Sequence, residues 1–256
     1  MEQQMKKIGV IGAGWLGNDL VNTLSTDRNK MVVSTTRSEQ TGEFQTRFRF
    51  EFGDHLPEAF IEALDVLFIT ATLPKDKVQQ SKLLHFVNEL HAKLPEECRV
   101  VFTSTIGVYQ AEQGTVAECC TEVDTGSVYY RMEQELLTKF PGRTTILRLG
   151  GLIGPDRHPV FSLSGRTGIA DGQKPVNLVH KQDILKFMKL LLEDQTVAGT
   201  YNLVYPDHPS RESYYTRKAM EHALPLPEFE TGTDAGKIVA SERSQQVSGF
   251  NYQWSI

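Results

Sequence analysis

The chain has 256 residues, about the length of one large domain, and its 27 Lys and Arg against 32 Asp and Glu give a net charge of −5. This balance predicts neither a nucleic-acid-binding surface nor a basic membrane-binding patch. No apolar run approaches the roughly 18 residues of a transmembrane helix. The three cysteines, Cys98, Cys119 and Cys120, fit neither a disulfide framework nor a zinc-ligand spacing, so we expect a cytoplasmic protein without a metal site.

Short apolar segments alternate with amphipathic segments in the first part of the chain. The predicted strands are Lys7–Ile11, Met31–Thr36, the alternating Phe48, Phe50 and Phe52 near a sheet edge, Val66–Ile69, Val100–Phe102 and Thr145–Leu149. Between them, Leu16–Leu24 and Leu83–Leu94 carry apolar residues at helical spacing. This alternation predicts an α/β fold with a doubly wound parallel sheet covered by helices on both sides.

The alternation loosens after about residue 155 and resumes with a strand over Val176–Val179, a helix around Ile184–Leu192 and a strand over Thr200–Val204. Asp183 is placed to cap that helix. The proline-containing tail predicts a small helical cap rather than more sheet. We therefore predict one domain, with a core of about residues 1–155 and 176–205. The cap, about residues 156–175 and 206–256, would form the other wall of a substrate cleft.

A glycine-rich loop follows the first predicted strand. The order Gly-x-Gly-x-x-Gly gives a tight turn, close approach of the backbone to a pyrophosphate and close packing of helix on strand. The N-terminus of the next helix offers N–H groups to the phosphates. A glycine turn without a ligand is the alternative. The predicted cofactor-binding residues of this loop are Gly12, Gly14, Trp15, Leu16 and Gly17.

The end of the second strand indicates which dinucleotide binds. An acidic residue about 20 positions after the loop would bind the ribose of NAD, but Arg37 stands there, after Thr36 and before Ser38. A guanidinium beside hydroxyl groups favours the 2′-phosphate of NADP over NAD, although NAD stays possible. The alternative is that Arg37 is a solvated loop residue.

Two further strand ends are candidate cofactor contacts. Asp54 follows the third strand and either accepts a hydrogen bond from the adenine amino group or serves as a turn residue after glycine. Thr70, Ala71 and Thr72 follow the fourth strand, where the chain passes close to the ribose and pyrophosphate. Small residues suit that place, although they end many strands.

Several spaced segments resemble the extended short-chain dehydrogenase/reductases, which include NAD(P)-dependent nucleotide-sugar epimerases and dehydratases. The matching segments are Phe102–Tyr109, Leu147–Pro155, Asn177–Asp183 and Gly199–Asn202. The chain is most similar to a sugar-epimerase-like bacterial branch with Gly-Trp-Leu-Gly in the first loop. The resemblance implies an NAD(P)-binding Rossmann fold and a small-molecule, sugar-like or nucleotide-sugar substrate. It also implies, from the helices near residues 76–94 and 125–140, a homodimer.

The resemblance covers only part of the catalytic machinery. Thr105 matches the Ser or Thr that orients the substrate, but the tyrosine and lysine of the group's Tyr-x-x-x-Lys helix fall on Thr125 and Tyr129. Threonine is no acid at neutral pH, and tyrosine carries no positive charge there. Either Tyr129 or Tyr130 donates the proton from a displaced position, or another acid or base acts, or the protein binds dinucleotide without redox chemistry.

The loop after the sixth strand supplies the alternative acid or base, His158 or Asp156. Arg157 and Arg166 in the same region would grip a phosphate or carboxylate, or else form solvated ion pairs. The predicted substrate-binding residues are Tyr109, Gly151, Arg157, His158 and Arg166. The sequence thus predicts an NADP-dependent oxidoreductase or epimerase, with a non-catalytic NADP(H)-binding sensor or partner protein as the alternative.

Overall fold

The computed structural model describes residues 5–37, 46–74, 77–110, 112, 114–230, 232 and 236–256. The strands among them are β1 (Lys6–Ile11), β2 (Lys30–Thr36), β3 (Arg47–Arg49), β4 (Val66–Ile69), β5 (Arg99–Thr105), β6 (Gly114–Val116), β7 (Thr144–Leu149), β8 (Gly151–Ile153), β9 (Leu178–His180), β10 (Gly199–Leu203) and β11 (Lys237–Val239).

The helices of the same described residues include long helices between the strands and short single turns. They are α1 (Gly17–Leu24), α2 (Glu58–Ile61), α3 (Lys77–Lys93), α4 (Val128–Lys139), α5 (Val160–Leu163), α6 (Lys181–Glu193), α7 (Arg211–Glu221) and α8 (Glu242–Gln245). A 3₁₀ turn covers Ile106–Val108. None of the described helices is long and apolar enough to cross a membrane.

Seven strands form one parallel sheet in the order β10-β7-β5-β4-β1-β2-β3. Ile8 of β1 pairs with Val32 on one side and with Val66 on the other. The sheet and its flanking helices confirm the predicted doubly wound α/β fold. Because the strand order reverses between β1 and β4, the loops after these two strands border the crevice where such sheets bind ligands.

Burial along the strands explains the order of the sheet. All four residues of β4 and all six of β7 are buried, as expected for inner strands of a parallel sheet covered on both faces. At the edge, β3 is short and none of its three residues is buried. The alternating phenylalanines predicted this edge position, and Phe50, just beyond β3, is buried.

The chain divides into two compact units. The first unit comprises Met1–Ser104, Thr125–Leu147 and Leu191–Thr200, and the second comprises Thr105–Asp124, Arg148–Leu190 and Tyr201–Ile256. Each unit has an apolar cluster of its own, built around residues such as Phe86 and Phe102 in the first and Tyr214 and Tyr215 in the second. The core and cap boundaries predicted from the sequence stay a prediction.

The second unit contains two small parallel sheets that the sequence did not indicate. One joins β8 to β9, and the other joins β6 to β11. The expectation of a purely helical tail is therefore wrong, because Lys237–Val239 pairs with Gly114–Val116. A short strand of three residues is too brief to show a sequence period of two.

The cysteines of the described residues are all free thiols. Cys98 is buried in the first unit, whereas Cys119 is exposed and Cys120 half-buried in the second. Burial raises the pKa of the Cys98 thiol to about 12, so this thiol is protonated at neutral pH.

Candidate functional site

The loop between β1 and α1 requires glycine at two positions. Gly12 has φ +93°, and a Cβ there would lie 2.5 Å from the Cα of Ala71. A Cβ on Gly17 would lie 2.3 Å from the carbonyl oxygen of Gly12. The first position thus allows the tight turn, and the last allows α1 to pack closely on the strand ends.

Gly14, unlike Gly12 and Gly17, is not required by a close contact, since a Cβ built there has no heavy atom within 4 Å. The middle of the loop is therefore open and exposed, with a backbone that a phosphate group can approach closely. The helix behind it begins after Leu16, and no side chain caps this helix N-terminus in the described structure. The N–H of Asn18 donates to the Gly14 carbonyl at 2.8 Å. The N–H groups without a side-chain cap and the positive end of the helix dipole favour an anion at this place.

Two threonines on the neighbouring strand ends hold the loop. The hydroxyl of Thr70 donates to the Gly12 carbonyl at 2.8 Å and lies 3.2 Å from the Ile11 carbonyl. On the other side, the hydroxyl of Thr35 accepts a hydrogen bond from the N–H of Gly12 at 3.2 Å. The carbonyl of Thr35 accepts a second one from the N–H of Ala13 at 2.8 Å. Thr70 thus lies next to the loop, and its contact with a cofactor stays a prediction. Thr35 was not among the predicted site residues.

The other predicted cofactor residues surround this loop with different exposures. Leu16 is buried, Trp15, Thr36 and Ala71 are half-buried, and Thr72 and Arg37 are exposed. Ser38, expected beside Arg37, lies outside the described residues.

Arg47 is a second guanidinium near this loop that the sequence analysis did not single out. It lies on β3 and donates to the side-chain oxygen of Asn18, in the first turn of α1, at 2.8 Å. Its register partner on β2 is Ser34, two residues before Thr36. The alternation of Arg and Phe in this strand was the available signal, but it was interpreted only as an edge pattern.

Asp54 is exposed and closes a turn. Its carboxylate accepts from the backbone N–H of Glu51 at 3.0 Å, and its own N–H donates to the Glu51 carbonyl at 2.9 Å. The preceding Gly53 has φ +110°, where a side chain is strained. These contacts fit the turn alternative, and the adenine contact stays a prediction.

Tyr129 points from α4 to the loop after β4. Its hydroxyl oxygen accepts a hydrogen bond from the backbone N–H of Leu73 at 3.3 Å, and its ring stacks on Phe102 with centroids 6.2 Å apart. Because the oxygen accepts in this contact, the phenol proton stays free to donate to another group. Tyr130, the next residue of α4, is half-buried.

A buried polar pair lies beside this tyrosine on α4. The hydroxyl of Ser104, the last residue of the first unit's part of β5, donates to the carboxylate of Glu133, which is fully buried. A buried carboxylate costs free energy unless it is hydrogen-bonded, so this pair fixes α4 against the end of β5.

In the second unit, Thr105 begins the 3₁₀ turn. Its hydroxyl accepts from the N–H of Gly107 at 3.0 Å, which caps the turn, and the residue is half-buried. The hydroxyl proton is not used in that contact, so it can still be donated to a ligand.

Tyr109 is 2% exposed, and its hydroxyl donates to the side-chain oxygen of Asn202 at 2.7 Å. The guanidinium of Arg148 lies over its ring at 4.9 Å. Gly151 is exposed but packs on β9, since a Cβ there would lie 2.7 Å from the Leu178 side chain. These contacts stabilise the second unit, and substrate binding by Tyr109 and Gly151 stays a prediction.

His158 has both ring nitrogens engaged within the second unit. Its Nδ1 accepts from the N–H of Val160 at 3.1 Å, which assigns the proton to Nε2, 2.8 Å from the hydroxyl of Tyr214. Burial, with further lowering from Lys218, depresses the pKa of this imidazole to about 4. A neutral, fully hydrogen-bonded histidine is a poor acid or base at neutral pH.

The two arginines predicted to bind substrate, Arg157 and Arg166, are both exposed in the second unit. Asp156, the other loop residue considered as an acid or base, lies 3.6 Å from the ammonium group of Lys181. The role of these three charged side chains stays a prediction.

Asp183 does not cap α6, so that expectation is wrong. Its carboxylate accepts from the backbone N–H groups of Gln253 at 2.9 Å and Trp254 at 3.4 Å and so holds the tail. The cap comes instead from His180, whose Nδ1 accepts from the N–H of Gln182 at 3.2 Å. The contact seventy positions away could not be seen in local spacing.

The parallel sheet, its switch point and the glycine loop define a Rossmann-type doubly wound fold. Solved structures share it. MoeE5 in complex with UDP-glucose and NAD has a TM-score of 0.77 at 17% identity, over 98% of this chain and 94% of that one. UDP-glucuronic acid 4-epimerase from Bacillus cereus in complex with NAD also has a TM-score of 0.77. It is 14% identical, over 97% of this chain and 92% of that one.

No known family profile matches the chain. Protein YeeZ from Escherichia coli (strain K12) is 34% identical over 269 residues, covering 98% of this chain and 97% of that protein. The chain belongs to the family of Protein YeeZ.

Proposed function

We propose that the protein binds a nicotinamide dinucleotide with its pyrophosphate against the loop Gly12–Gly17. The observation that carries this proposal is the contrast within the loop. Gly12 and Gly17 are required by close contacts, whereas Gly14 leaves open space before an uncapped helix N-terminus. Since MoeE5 and the Bacillus cereus epimerase were solved with NAD, the shared fold supports this class of cofactor.

Within this class, we propose NADP rather than NAD. Arg37 is exposed directly after β2, where an acidic residue would bind the ribose of NAD. Arg47, held by Asn18 at the start of α1, adds positive charge on the neighbouring strand. A 2′-phosphate is recognised by guanidinium groups through charge-assisted hydrogen bonds.

The reaction we propose is hydride transfer between nicotinamide and a sugar-like or nucleotide-sugar substrate. The dinucleotide supplies the hydride chemistry when bound. Of the chain's own groups, the Tyr129 phenol is the proton donor, because it has a free proton and lies at the loop after β4. The UDP-glucose bound to MoeE5 supports a nucleotide-sugar substrate.

Titration of the full chain with NADPH, NADH, NADP and NAD tests the cofactor. We expect tighter binding of the two phosphorylated forms, and a loss of that preference in Arg37→Ala. Arg28→Ala is the matched control, since Arg28 is an exposed arginine before β2, at the strand's other end. Equal affinity for NADPH and NADH would overturn the NADP preference, and binding of none of the four would overturn the proposal.

The second candidate is a non-catalytic NADP(H)-binding sensor or partner protein. It is favoured by Thr125, just before α4, and Tyr129, in α4, which occupy the positions of the tyrosine and lysine in the resembled group. Variants Tyr129→Phe and Tyr130→Phe decide between the two, with turnover measured on a panel of nucleotide sugars. Loss of about 100-fold or more in one variant would identify the proton donor. Dinucleotide binding without turnover on any substrate would support the sensor.

We further propose a cytoplasmic homodimer that pairs through α3 and α4. These helices border a surface groove lined by Leu83, Leu84, Val87, Val128 and Met132 together with the polar Gln80, Arg131 and Glu135, and Leu84 is 49% exposed. A groove between two helices with a largely apolar lining suits burial by a second copy. Sedimentation at the monomer mass of 28.8 kDa would contradict the dimer.

A further inference from the structure

Two histidines and a glutamate converge on one side of α3 in the first unit. His85 and Glu89 are four residues apart and therefore share a helix face, and His55 comes from the segment before α2. The ligand atoms of the three side chains all lie within 4.8 Å of one another. His55 Nδ1 is 3.3 Å from the Glu89 carboxylate, and the rings of His55 and His85 contact edge to face at 5.9 Å.

Glu89 is the buried member of this cluster. It is 8% exposed, and while its Oε1 contacts Lys93 at 2.7 Å and His55, its Oε2 is buried without a hydrogen-bond partner in the described structure. Glu89 thus offers a buried oxygen acceptor with no partner among the described residues, which costs free energy unless a cation or donor occupies it.

We propose that His55, His85 and Glu89 bind a divalent transition metal of the zinc class. Two imidazole nitrogens and one carboxylate oxygen are the ligands of open zinc sites, in which water takes the fourth position. Nitrogen ligands disfavour Mg²⁺ and Ca²⁺, which take oxygen ligands. Lys93 would remain on Glu89 as an outer donor that orients the carboxylate.

The two histidines can complete the site by side-chain rotation. In a tetrahedral zinc site with bonds of about 2.0–2.1 Å, the ligand atoms lie about 3.3–3.5 Å apart. The most widely separated of the three atoms must therefore approach by up to about 1.5 Å, whereas His55 Nδ1 and the Glu89 carboxylate already lie 3.3 Å apart. The His55 side chain is 79% exposed and His85 is exposed, so both rings are free to turn toward the buried Glu89. The metal would join the segment before α2 to α3.

Metal titration of the chelator-treated full chain, without a polyhistidine tag, tests the site. Zn²⁺ is followed by calorimetry and Co²⁺ by its visible absorption. We expect one ion per chain and a tetrahedral Co²⁺ spectrum. In His85→Gln and Glu89→Gln the dissociation constant should rise at least tenfold. His85 is exposed, so its variant keeps the test valid if loss of Glu89 impairs folding.

The matched control is His91→Gln, which changes an exposed histidine of the same helix that instead packs against the Phe140 ring at 5.7 Å. Its affinity for both metals should stay within about twofold of the unchanged chain. Absence of metal binding would overturn the proposal. Equal affinity in the unchanged chain and in His85→Gln would also overturn it, because the ion would then be held elsewhere.

Discussion

The hydroxyl of Thr70 donates a 2.8 Å hydrogen bond to the carbonyl of Gly12, and so joins the end of β4 to the glycine loop. The same hydroxyl lies next to the position that a Cβ on Gly17 would occupy, 2.5 Å away. One side chain thus contacts both ends of the loop. Its size leaves room for α1 only because residue 17 has no side chain.

Thr70→Val keeps the shape of this side chain but removes its donor. We expect a loss of about 1 kcal/mol in the free energy of unfolding and roughly tenfold weaker dinucleotide binding, because the Gly12 carbonyl loses its partner. Urea denaturation and cofactor titration measure the two effects. Thr26→Val removes an exposed hydroxyl bonded to Thr23 and should leave cofactor affinity unchanged. If Thr70→Val binds dinucleotide normally, the loop does not depend on this contact.

Alanine at two positions of the glycine loop should give opposite results. Gly17→Ala places a Cβ 2.3 Å from the Gly12 carbonyl oxygen, so it should lower the free energy of unfolding by about 1–3 kcal/mol. Gly14→Ala meets open space, so stability should hold while the added methyl group obstructs a pyrophosphate. Thermal unfolding together with NADPH titration separates the two. Normal binding by Gly14→Ala would place the phosphates elsewhere.

His158 makes the second unit less stable in mild acid. An unfolded histidine has a pKa of about 6.5 and the folded one about 4, so the folded chain binds fewer protons between these values. The contribution of His158 to the free energy of unfolding is fully present above about pH 6.5 and is lost as the pH falls toward 4. Allowing for partial solvent exposure, the loss is about 2 kcal/mol.

Urea denaturation between pH 4 and 7.5 measures this dependence, with His158→Gln as the comparison. The variant should be less stable at pH 7.5 but should lose less stability on acidification. Some dependence remains because burial also lowers the pKa of His180. Identical pH profiles for both proteins would show that His158 is not buried neutral.

Asp183→Asn should loosen the tail that packs on α6. An amide oxygen replaces the carboxylate that accepts from Gln253 and Trp254, and the amide group adds a donor at a fully buried place. We expect a cost of about 1–3 kcal/mol and faster tryptic cleavage after Arg243. Asp207→Asn, at an exposed aspartate, should change neither quantity. Unchanged cleavage in Asp183→Asn would mean that the tail is held by other contacts.

Local sequence patterns predicted the first unit well. The buried strands β1, β4 and β7 are short apolar runs, and the glycine spacing together with Arg37 indicated where the loop and the end of β2 lie. These features depend on neighbours in sequence, such as the alternation of strand and helix. A single chain therefore carries enough information for the sheet and its crevice.

Contacts between distant positions were not predictable in the same way. Asp183 suits a helix cap by local spacing, but its partners are Gln253 and Trp254. His55 stands apart from the His85–Glu89 pair in sequence, so the cluster carried no metal-ligand spacing, and the absence of a metal was the natural expectation. Such side chains meet only after the segments between them have folded.

The thiol of Cys98 gives the first unit a natural reporter of its own opening. Because the thiol is buried and protonated, a thiol reagent reaches it only when the chain at the start of β5 transiently separates from its neighbours. Cys119, exposed in the second unit, reacts without any such opening. Slow labelling of Cys98 beside fast labelling of Cys119 thus measures the rate at which the first unit opens locally, without an engineered probe.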